Sequence, residues 1–322
     1  MKQAAGLGID IGGTKTLCLL VNEGRQIIES CKFKTAPHEG CKEFTQKLLE
    51  VLKTLNKTAQ GNRYHLVGIG VGCAGSVDAK KRIINKSPNL LCLEGFRIGK
   101  WLKKNFGTEV TLGNDVQMGM AAEHNLGAAH GCEHVLGVFF GTGVGGAAII
   151  NGELYRGASG VGGQVGSILA QPVGGPEAAS SHGILDRIAS KAAIASEALV
   201  MAIKEWSPYL HKKVGTDLSK VTWGILKRAI AHGDQRIDEM LRARLRVVGI
   251  ALSSVVNFLN PEMVLLGGGL TNEMPRLVVS EVERGLREYL IPEVGKALRV
   301  KKTALGGDGV ALGAADAALD RG

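Results

Sequence analysis

The sequence predicts an α/β protein whose fold is duplicated into two lobes with a cleft between them. A glycine-rich turn between two apolar, strand-like runs occurs twice, at residues 8–16 and again at 140–146. Strand-like and helical runs alternate after each copy, which is typical of α/β units. The chain has 322 residues. A single hydrophobic core usually serves fewer residues than this. A supersecondary unit that recurs in so long a chain indicates duplication.

The first lobe is expected to comprise residues 1–115 and to be completed by a C-terminal helix at 308–322. Hydrophobic spacing predicts a strand pair, a helix, a strand, a short helix and a strand, over residues 7–11, 16–21, 41–55, 66–71, 98–105 and 110–112.

The second lobe, residues 116–307, repeats this plan. A helix rich in Ala and Met begins at Val116, and the second hairpin follows it. In the later part, the sequence predicts a long helical region over residues 184–259 with a break at 208–219. A strand at 263–266 and a closing glycine turn at 267–269 follow.

Each glycine hairpin is a candidate oxyanion site. Backbone N–H groups that no side chain obstructs form a concave row of donors, and phosphate is the usual ligand of such a row. The hydroxyls of Thr14, Thr16 and Thr142 can donate to phosphate oxygens, and Lys15 adds a positive charge. Ordinary hairpin turns are the alternative for either copy. Neither copy is a dinucleotide fingerprint or a Walker A loop, because the glycines join two strands and no GK[ST] follows.

Composition narrows the class of ligand and the location. Lys and Arg number 39 against 30 Asp and Glu, a net charge of +9 that favours anionic ligands such as nucleotides. The basic residues are dispersed and aromatic residues are only 4%, so nucleic acid is not expected as a partner. We expect a cytoplasmic protein without a membrane partner, since no apolar run reaches the length of a span and a strand begins too early for a signal peptide. Six scattered cysteines without a C-x-x-C pair indicate reduced thiols.

Two aspartates stand where strands end. Asp10 could hold a hydrated Mg²⁺. Asp115 follows the strand at 110–112, where open α/β sheets place their ligands, and one carboxylate there could align a hydroxyl and accept its proton. The alternative is that Asn114 and Asp115 cap the helix that begins near Val116, and Asp115 could do both. Asn89 and Asn114 can bind sugar hydroxyls through their amides, or they can simply form turns.

The order of these motifs resembles the ROK family of sugar kinases, sensors and repressors, within the duplicated actin/hexokinase-like (ribonuclease H-like) ATPase fold. The resemblance covers nearly the whole chain, with Ala74 standing where the family has a proline. Six segments carry it: DIGGTK at 10–15, GVGCAGSVD at 70–78, SPNL at 87–90, GND at 113–115, GTGVGG at 141–146 and GGG at 267–269.

The resemblance implies an ATP-dependent sugar kinase that uses Mg²⁺, forms homodimers and has Asp115 as its catalytic base. It implies that the nucleotide phosphates are bound by two phosphate loops and an adenosine-side turn, at Asp10, Gly12, Gly13, Thr14, Lys15, Gly141, Thr142, Gly143, Gly145, Gly267 and Gly268. The residues implied to bind sugar are Gly75, Asn89, Asn114, Asp115, Gln164, Ser167 and Asp186. Residues 267–269 could instead be a plain strand-to-helix turn.

The sequence departs from the family on the sugar side. Gln164 and Ser167 stand where family kinases carry the glutamate and histidine of an E-x-G-H segment. The zinc segment is replaced by residues 171–186, in which His182 is the only Cys or His, so no zinc site is expected. Asp186 takes the place of that segment's last glutamate, or it is a first-turn acid of a helix.

Three readings follow from these features. The first is a hexose kinase with glucose as the default substrate and a different or modified sugar as a variant. The second is a non-catalytic sugar sensor that kept the fold. The third keeps the kinase and replaces ATP by polyphosphate as the phosphoryl donor.

Overall fold

A computed structural model describes residues 3–36, 40–87, 90–170 and 183–320. The chain divides into two compact units. Unit 1 consists of Met1–His130, Gly157–Val161 and Gly307–Gly322, and unit 2 consists of Gly131–Arg156 and Gly162–Gly306.

Unit 1 is built on a five-stranded sheet with the order β3-β2-β1-β4-β7. The first three strands are antiparallel neighbours, whereas β4 and β7 run parallel to β1. The strands of unit 1, including the separate β5–β6 hairpin, are β1 (Gln3–Ile11), β2 (Lys15–Asn22), β3 (Ile27–Lys34), β4 (Tyr64–Cys73), β5 (Ser76–Asp78), β6 (Ile83–Lys86) and β7 (Glu109–Asn114). Its helices are α1 (Cys41–Gly61), α2 (Ile98–Phe106), α3 (Asp115–Leu126) and, from the C-terminus, α12 (Gly309–Leu319).

Unit 2 repeats this sheet with the order β10-β9-β8-β11-β12. Again an antiparallel hairpin is followed by parallel neighbours. Its strands are β8 (Val135–Phe140), β9 (Val144–Ile150), β10 (Glu153–Tyr155), β11 (Met263–Gly267) and β12 (Arg299–Lys302). Its helices are α4 (Leu185–Ala189), α5 (Lys191–Ile203), α6 (Pro208–Val214), α7 (Trp223–Ala231), α8 (Gln235–Leu259), α9 (Gly268–Glu273), α10 (Pro275–Arg287) and α11 (Pro292–Ala297). The predicted duplicated α/β fold is confirmed.

The sheet of unit 1 has one bulky face and one glycine face, because successive side chains of a strand point to opposite sides. Leu7 and Ile9 belong to a buried core that also includes Leu48 of α1. On the other face, a Cβ added to Gly8 or Gly70 would lie 1.9 or 1.7 Å from a carbonyl oxygen of α12. The backbone of α12 therefore lies directly against the sheet, where only glycine fits.

The helical region of unit 2 departs from the prediction in one place. The predicted break at residues 208–219 contains α6, which begins at Pro208. Proline at the first position of a helix costs no backbone hydrogen bond and has the required φ, so here it starts a helix. Among the described residues, no helix is both long and apolar enough to cross a membrane.

Candidate active site

Asp10 and Asp115 lie at the same edge of the sheet in unit 1. Asp10 of β1 pairs with Gly72 of β4, and Gly72 pairs with Gly113 of β7. Parallel neighbours are about 4.8 Å apart, so the Cα atoms of Asp10 and Gly113 are separated by about 10 Å. Asp115 follows Gly113 by two residues and opens α3. The register alone therefore brings both aspartates to the carboxyl edge, the usual place for a ligand.

The pKa values of both carboxyl groups are raised. Burial, and then the charge of Asp115, raise the pKa of Asp10 to about 7, although Lys15 opposes the shift. Burial also raises the pKa of Asp115, against hydrogen bonds from backbone N–H groups and the Asn114 side chain that lower it. Perturbed carboxyl groups of this kind concentrate at functional sites.

Asn114 is the N-cap of α3. Its Oδ1 accepts hydrogen bonds from the N–H groups of Val116 (3.0 Å) and Gln117 (3.3 Å). Its Nδ2 donates to the carbonyl oxygen of Gly75 at 2.9 Å. Asp115 is the first helical residue, and its Oδ1 accepts from Val116 at 2.9 Å. The structure thus brings three of the predicted sugar residues together, and both functional atoms of the Asn114 amide already have partners within the chain.

The first glycine hairpin is closed by a hydrogen bond from the Gly12 N–H to the Lys15 carbonyl at 3.1 Å. The Thr35 hydroxyl donates to the Gly12 carbonyl at 2.7 Å and lies 3.0 Å from the Thr16 hydroxyl. Thr16 is buried, so its hydroxyl supports the hairpin from inside instead of facing a ligand. The N–H groups of Gly13 and Thr14 donate to no acceptor in the described part of the chain.

The second glycine hairpin is held by three hydrogen bonds. The Gly141 N–H donates to the Gly143 carbonyl at 2.8 Å, and the Lys191 N–H donates to the Gly141 carbonyl at 3.2 Å. The Val144 N–H donates to Oδ1 of Asp186 at 2.7 Å. Within the described ranges, the N–H groups of Thr142 and Gly143 have no acceptor, so this hairpin also keeps two donors for an oxyanion.

The glycine turn at 267–269 lies beside the second hairpin within unit 2. Gly268 forms a parallel bridge with Phe140, the last residue of β8. Its φ is +88°, and an added Cβ would lie 2.3 Å from the Phe140 carbonyl oxygen. Gly269 packs on Trp223, whose ring carbon would be 3.0 Å from an added Cβ. The turn is a strand-to-helix connection, and it brings bare backbone next to the phosphate-type loop.

The remaining predicted sugar residues of unit 2 are Gln164, Ser167 and Asp186. Gln164 and Ser167 are exposed at the two ends of one turn, where the Ser167 N–H donates to the Gln164 carbonyl at 3.2 Å. Asp186 is half-buried in the first turn of α4. Gly166 lies against it, since an added Cβ would be 3.6 Å from the Asp186 Cβ. Asn89 lies outside the described residues.

Three supporting residues escaped the sequence analysis. Thr35 braces the first hairpin, and it is brought there by the pairing of β2 with β3. The Ser87 hydroxyl donates to the Ala74 carbonyl at 2.6 Å and anchors the start of the SPNL segment. Cys73 is buried beside both aspartates, and burial, Asp115 and Asp10 raise the pKa of its thiol to about 12. Ser87 could have been found from the sequence because it lies within the predicted SPNL motif. Thr35 could not, because the pairing of β2 with β3 that places it has no local signal in the sequence.

Among the described residues, no group of three or more His, Cys, Asp or Glu side chains is arranged so that it could hold a metal ion. The stretch that replaces the zinc segment, including His182, lies almost wholly outside the described residues, which resume at Gly183.

Two sheets of the same order, each opened by a glycine hairpin, define a protein of the actin/hexokinase-like ATPase fold. A model of the ROK family matches residues 6–321, and the chain belongs to this family.

Relatives of two kinds are similar to this chain. A glucokinase of Thermotoga maritima is 28% identical over 316 residues, which cover 98% of this chain and 97% of that protein. The crystal structure of a ROK family glucokinase from Streptomyces griseus, in complex with glucose and AMPPNP, has a TM-score of 0.81 and 26% identity, with 99% of this chain and 100% of that chain covered. The DNA-binding transcriptional repressor Mlc of Escherichia coli is 24% identical, over 78% of this chain and 60% of that protein. At the level of the family these likenesses support a sugar kinase, while the family also includes a repressor.

Proposed function

We propose that this protein is an ATP-dependent kinase that phosphorylates a sugar hydroxyl. The observation that carries the proposal is Asp115, a carboxylate held at a helix start beside a second carboxylate. The pKa of Asp115 is raised by burial, which makes the group a stronger base than an ordinary aspartate.

Asp115 would take the proton from the acceptor sugar. The hydroxyl oxygen attacks the terminal phosphorus of ATP, and the bond from that phosphorus to the bridging oxygen of ADP breaks. The hydroxyl proton passes to the carboxylate as the new oxygen–phosphorus bond forms. Because phosphoryl transfer needs mainly positioning and charge neutralisation, a correctly placed base and bound phosphates are sufficient parts.

The hairpin N–H groups that have no acceptor among the described residues would bind phosphate oxygens of the donor. Gly13 and Thr14 offer two such donors in unit 1, and Thr142 and Gly143 offer two in unit 2. Lys15, which is exposed, adds a positive charge to the first hairpin. The turn at 267–269 would receive the adenosine part, since its bare backbone allows close approach of a flat ring.

Asp10 fits a hydrated Mg²⁺. The carboxyl group of Asp115 acts on that of Asp10, and Lys15 is the cation that acts on Asp10. When both carboxyl groups are ionised, one negative charge is left over, and a divalent cation would neutralise it. Once bound, Mg²⁺ would neutralise charge on the transferring phosphate oxygens. Asp10 would hold it through water, and Asp115 would keep its own role as base.

A coupled ADP-release assay tests this proposal. Purified protein is given ATP and Mg²⁺ with a panel of hexoses, amino sugars and polyols, and we expect one sugar class to stimulate ADP release. Asp115→Asn should lower turnover by about 10²–10⁴. The matched control is Asp217→Asn, which makes the same change at the N-cap of the short 3₁₀ turn Leu218–Lys220. Activity of Asp115→Asn within tenfold of the parent would contradict the assignment.

A sensor is the second candidate, favoured by the neutral pair Gln164 and Ser167 where family kinases have charged or titratable side chains. A sensor would bind a sugar in calorimetry yet release no ADP with any sugar of the panel. A kinase for a modified sugar would instead be inactive on glucose and active on a related hexose. Competition between ATP and polyphosphate in the same assay decides the donor.

A further inference from the structure

The carboxylate of Asp186 touches the second glycine hairpin directly. Its Oδ1 accepts a hydrogen bond from the Val144 N–H at 2.7 Å. A Cβ added to Gly143 would lie only 2.6 Å from the same oxygen. The carboxylate is therefore in contact with the loop backbone, and any side chain at position 143 would displace it.

The hairpin is held at its other end by the next helix. The Lys191 N–H, at the start of α5, donates to the Gly141 carbonyl at 3.2 Å. Asp186 and Lys191 thus fix both ends of the turn between β8 and β9. A turn rich in glycine has many accessible conformations, so its shape depends on such external contacts. The N–H groups of Thr142 and Gly143, which lie between the two contacts, remain free of acceptors among the described residues.

The surroundings of Asp186 leave its carboxylate engaged with the loop. Gly166 packs on the other side, where an added Cβ would be 3.6 Å from the Asp186 Cβ and 2.1 Å from the Val144 carbonyl oxygen. A hydrogen bond to a charged acceptor is stronger than one between neutral groups. Aspartate has the length that reaches Val144 from α4, and one more methylene would push the carboxylate into the backbone at Gly143.

We propose that Asp186 is a positioning residue for the phosphate donor and acts through the Val144 N–H on the shape of the second hairpin. This proposal rests on the proposed kinase function, and it gives Asp186 a donor-side role in place of the expected sugar contact. The donor would be any ligand that presents a terminal polyphosphate, with ATP as the first case.

The test separates three substitutions at this one position. Asp186→Ala removes the acceptor and should weaken AMPPNP binding and raise KM for ATP about tenfold, the effect of losing one hydrogen bond to a charged group. Asp186→Asn keeps an acceptor oxygen and should recover most of this loss. Asp186→Glu keeps the charge but should resemble Asp186→Ala, because the longer side chain displaces the loop. In all three, KM for the sugar should stay within about twofold.

Asp217→Ala is the matched control, because Asp217 of unit 2 accepts from the Ser219 N–H as the N-cap of the short 3₁₀ turn Leu218–Lys220. It should leave both KM values unchanged. Thermal unfolding establishes that every variant is folded. A rise in KM for the sugar with unchanged AMPPNP affinity in Asp186→Ala would overturn the proposal in favour of a direct sugar contact.

Hydrogen exchange at the N–H groups of Gly141 and Val144, which both donate hydrogen bonds in this turn, supplies a readout that is independent of catalysis. Asp186→Ala should lose protection there and Asp186→Asn should keep most of it. Unchanged protection in Asp186→Ala overturns the positioning role. A further outcome is that Asp186→Ala loses protection as expected but the parent protein binds no AMPPNP. The kinase function and the donor role of Asp186 then both fail, while the contact between Asp186 and the loop stands.

Discussion

Asp10 and Asp115 share the carboxyl edge of one sheet closely enough that the charge of Asp115 acts on Asp10. Burial is the larger cause and Asp115 the second, and together they raise the pKa of Asp10 to about 7. The strand register explains the proximity, since β1, β4 and β7 are parallel neighbours in this order. Two carboxylates kept together in a partly buried place cost free energy, and this cost gives a pH dependence.

Asp10 should make the free energy of unfolding fall as the pH rises towards neutrality. Its pKa is raised above the ordinary value of 3.8, so the folded state binds the proton more tightly than the unfolded state. This stabilisation is fully present below pH 3.8 and is lost as the pH rises through about 7. Asp10→Asn should therefore stabilise the protein at pH 8, by about 1 kcal/mol or more, and change little at pH 4. Denaturant unfolding at both pH values measures this, and equal effects at the two would contradict it.

The fold was largely predictable because its strongest signals are local. Both hairpins, β4, β7, β11 and α12 each have a continuous apolar or small-residue run, which sequence periodicity detects. β3 was missed because it is an edge strand with mostly exposed, partly charged residues. α6 was missed because a proline at its start was interpreted as a break.

The site was predictable only where one segment contains the whole arrangement. Asn114 ends β7 and Asp115 directly follows it, so their position at a strand end could be inferred. Thr35 reaches the first hairpin through strand pairing, and Asp186 reaches the second one from a helix that lies far along the chain. Such contacts depend on the tertiary fold, and no spacing within the sequence encodes them.

Asn114→Ala should reduce both stability and turnover. The substitution removes the acceptor for the N–H groups of Val116 and Gln117 and the donor to Gly75. A lost N-cap costs about 1 kcal/mol, and turnover falls further because Asp115 is the next residue. Thr222→Ala is the control, since Thr222 caps α7 through the Ile225 N–H. Denaturant unfolding and steady-state kinetics should show similar stability losses in the two variants but a kinetic loss only in Asn114→Ala.

Thr35→Val should weaken the donor side of the first hairpin. The hydroxyl donates to the Gly12 carbonyl and contacts the buried Thr16 hydroxyl, and valine leaves both without this partner. We expect a loss of about 1–3 kcal/mol in the free energy of unfolding and a several-fold increase in KM for ATP. Thr54→Val removes a comparable hydroxyl from an exposed turn of α1, where it donates to the Glu50 carbonyl. If both variants have the parent's KM for ATP, Thr35 does not shape the loop.

Gly70→Ala should reduce both stability and activity, because α12 contacts β4 on one side and α3 on another. The new methyl group would lie 1.7 Å from the Ala314 carbonyl oxygen, so α12 must move. α12 also packs on α3, where a Cβ at Gly313 would lie 2.1 Å from the Met118 carbonyl oxygen. A displaced α12 therefore disturbs the helix that begins with Asp115.

The expected cost of Gly70→Ala is about 3 kcal/mol or more, the upper range for an overfilled core, with turnover reduced in the fraction that stays folded. Gly61→Ala is the control, because among the described residues a Cβ added at that helical end has no atom within 4 Å apart from its chain neighbours and its own helix backbone. It should be neutral or slightly stabilising, since alanine loses less backbone entropy on folding than glycine. Thermal unfolding, with kinetics normalised to the folded fraction, compares the two variants. If Gly70→Ala has the parent's stability, α12 can move away from the sheet at little cost in free energy. If the variant is as stable as the parent but inactive, the contact between β4 and α12 matters only for the position of Asp115.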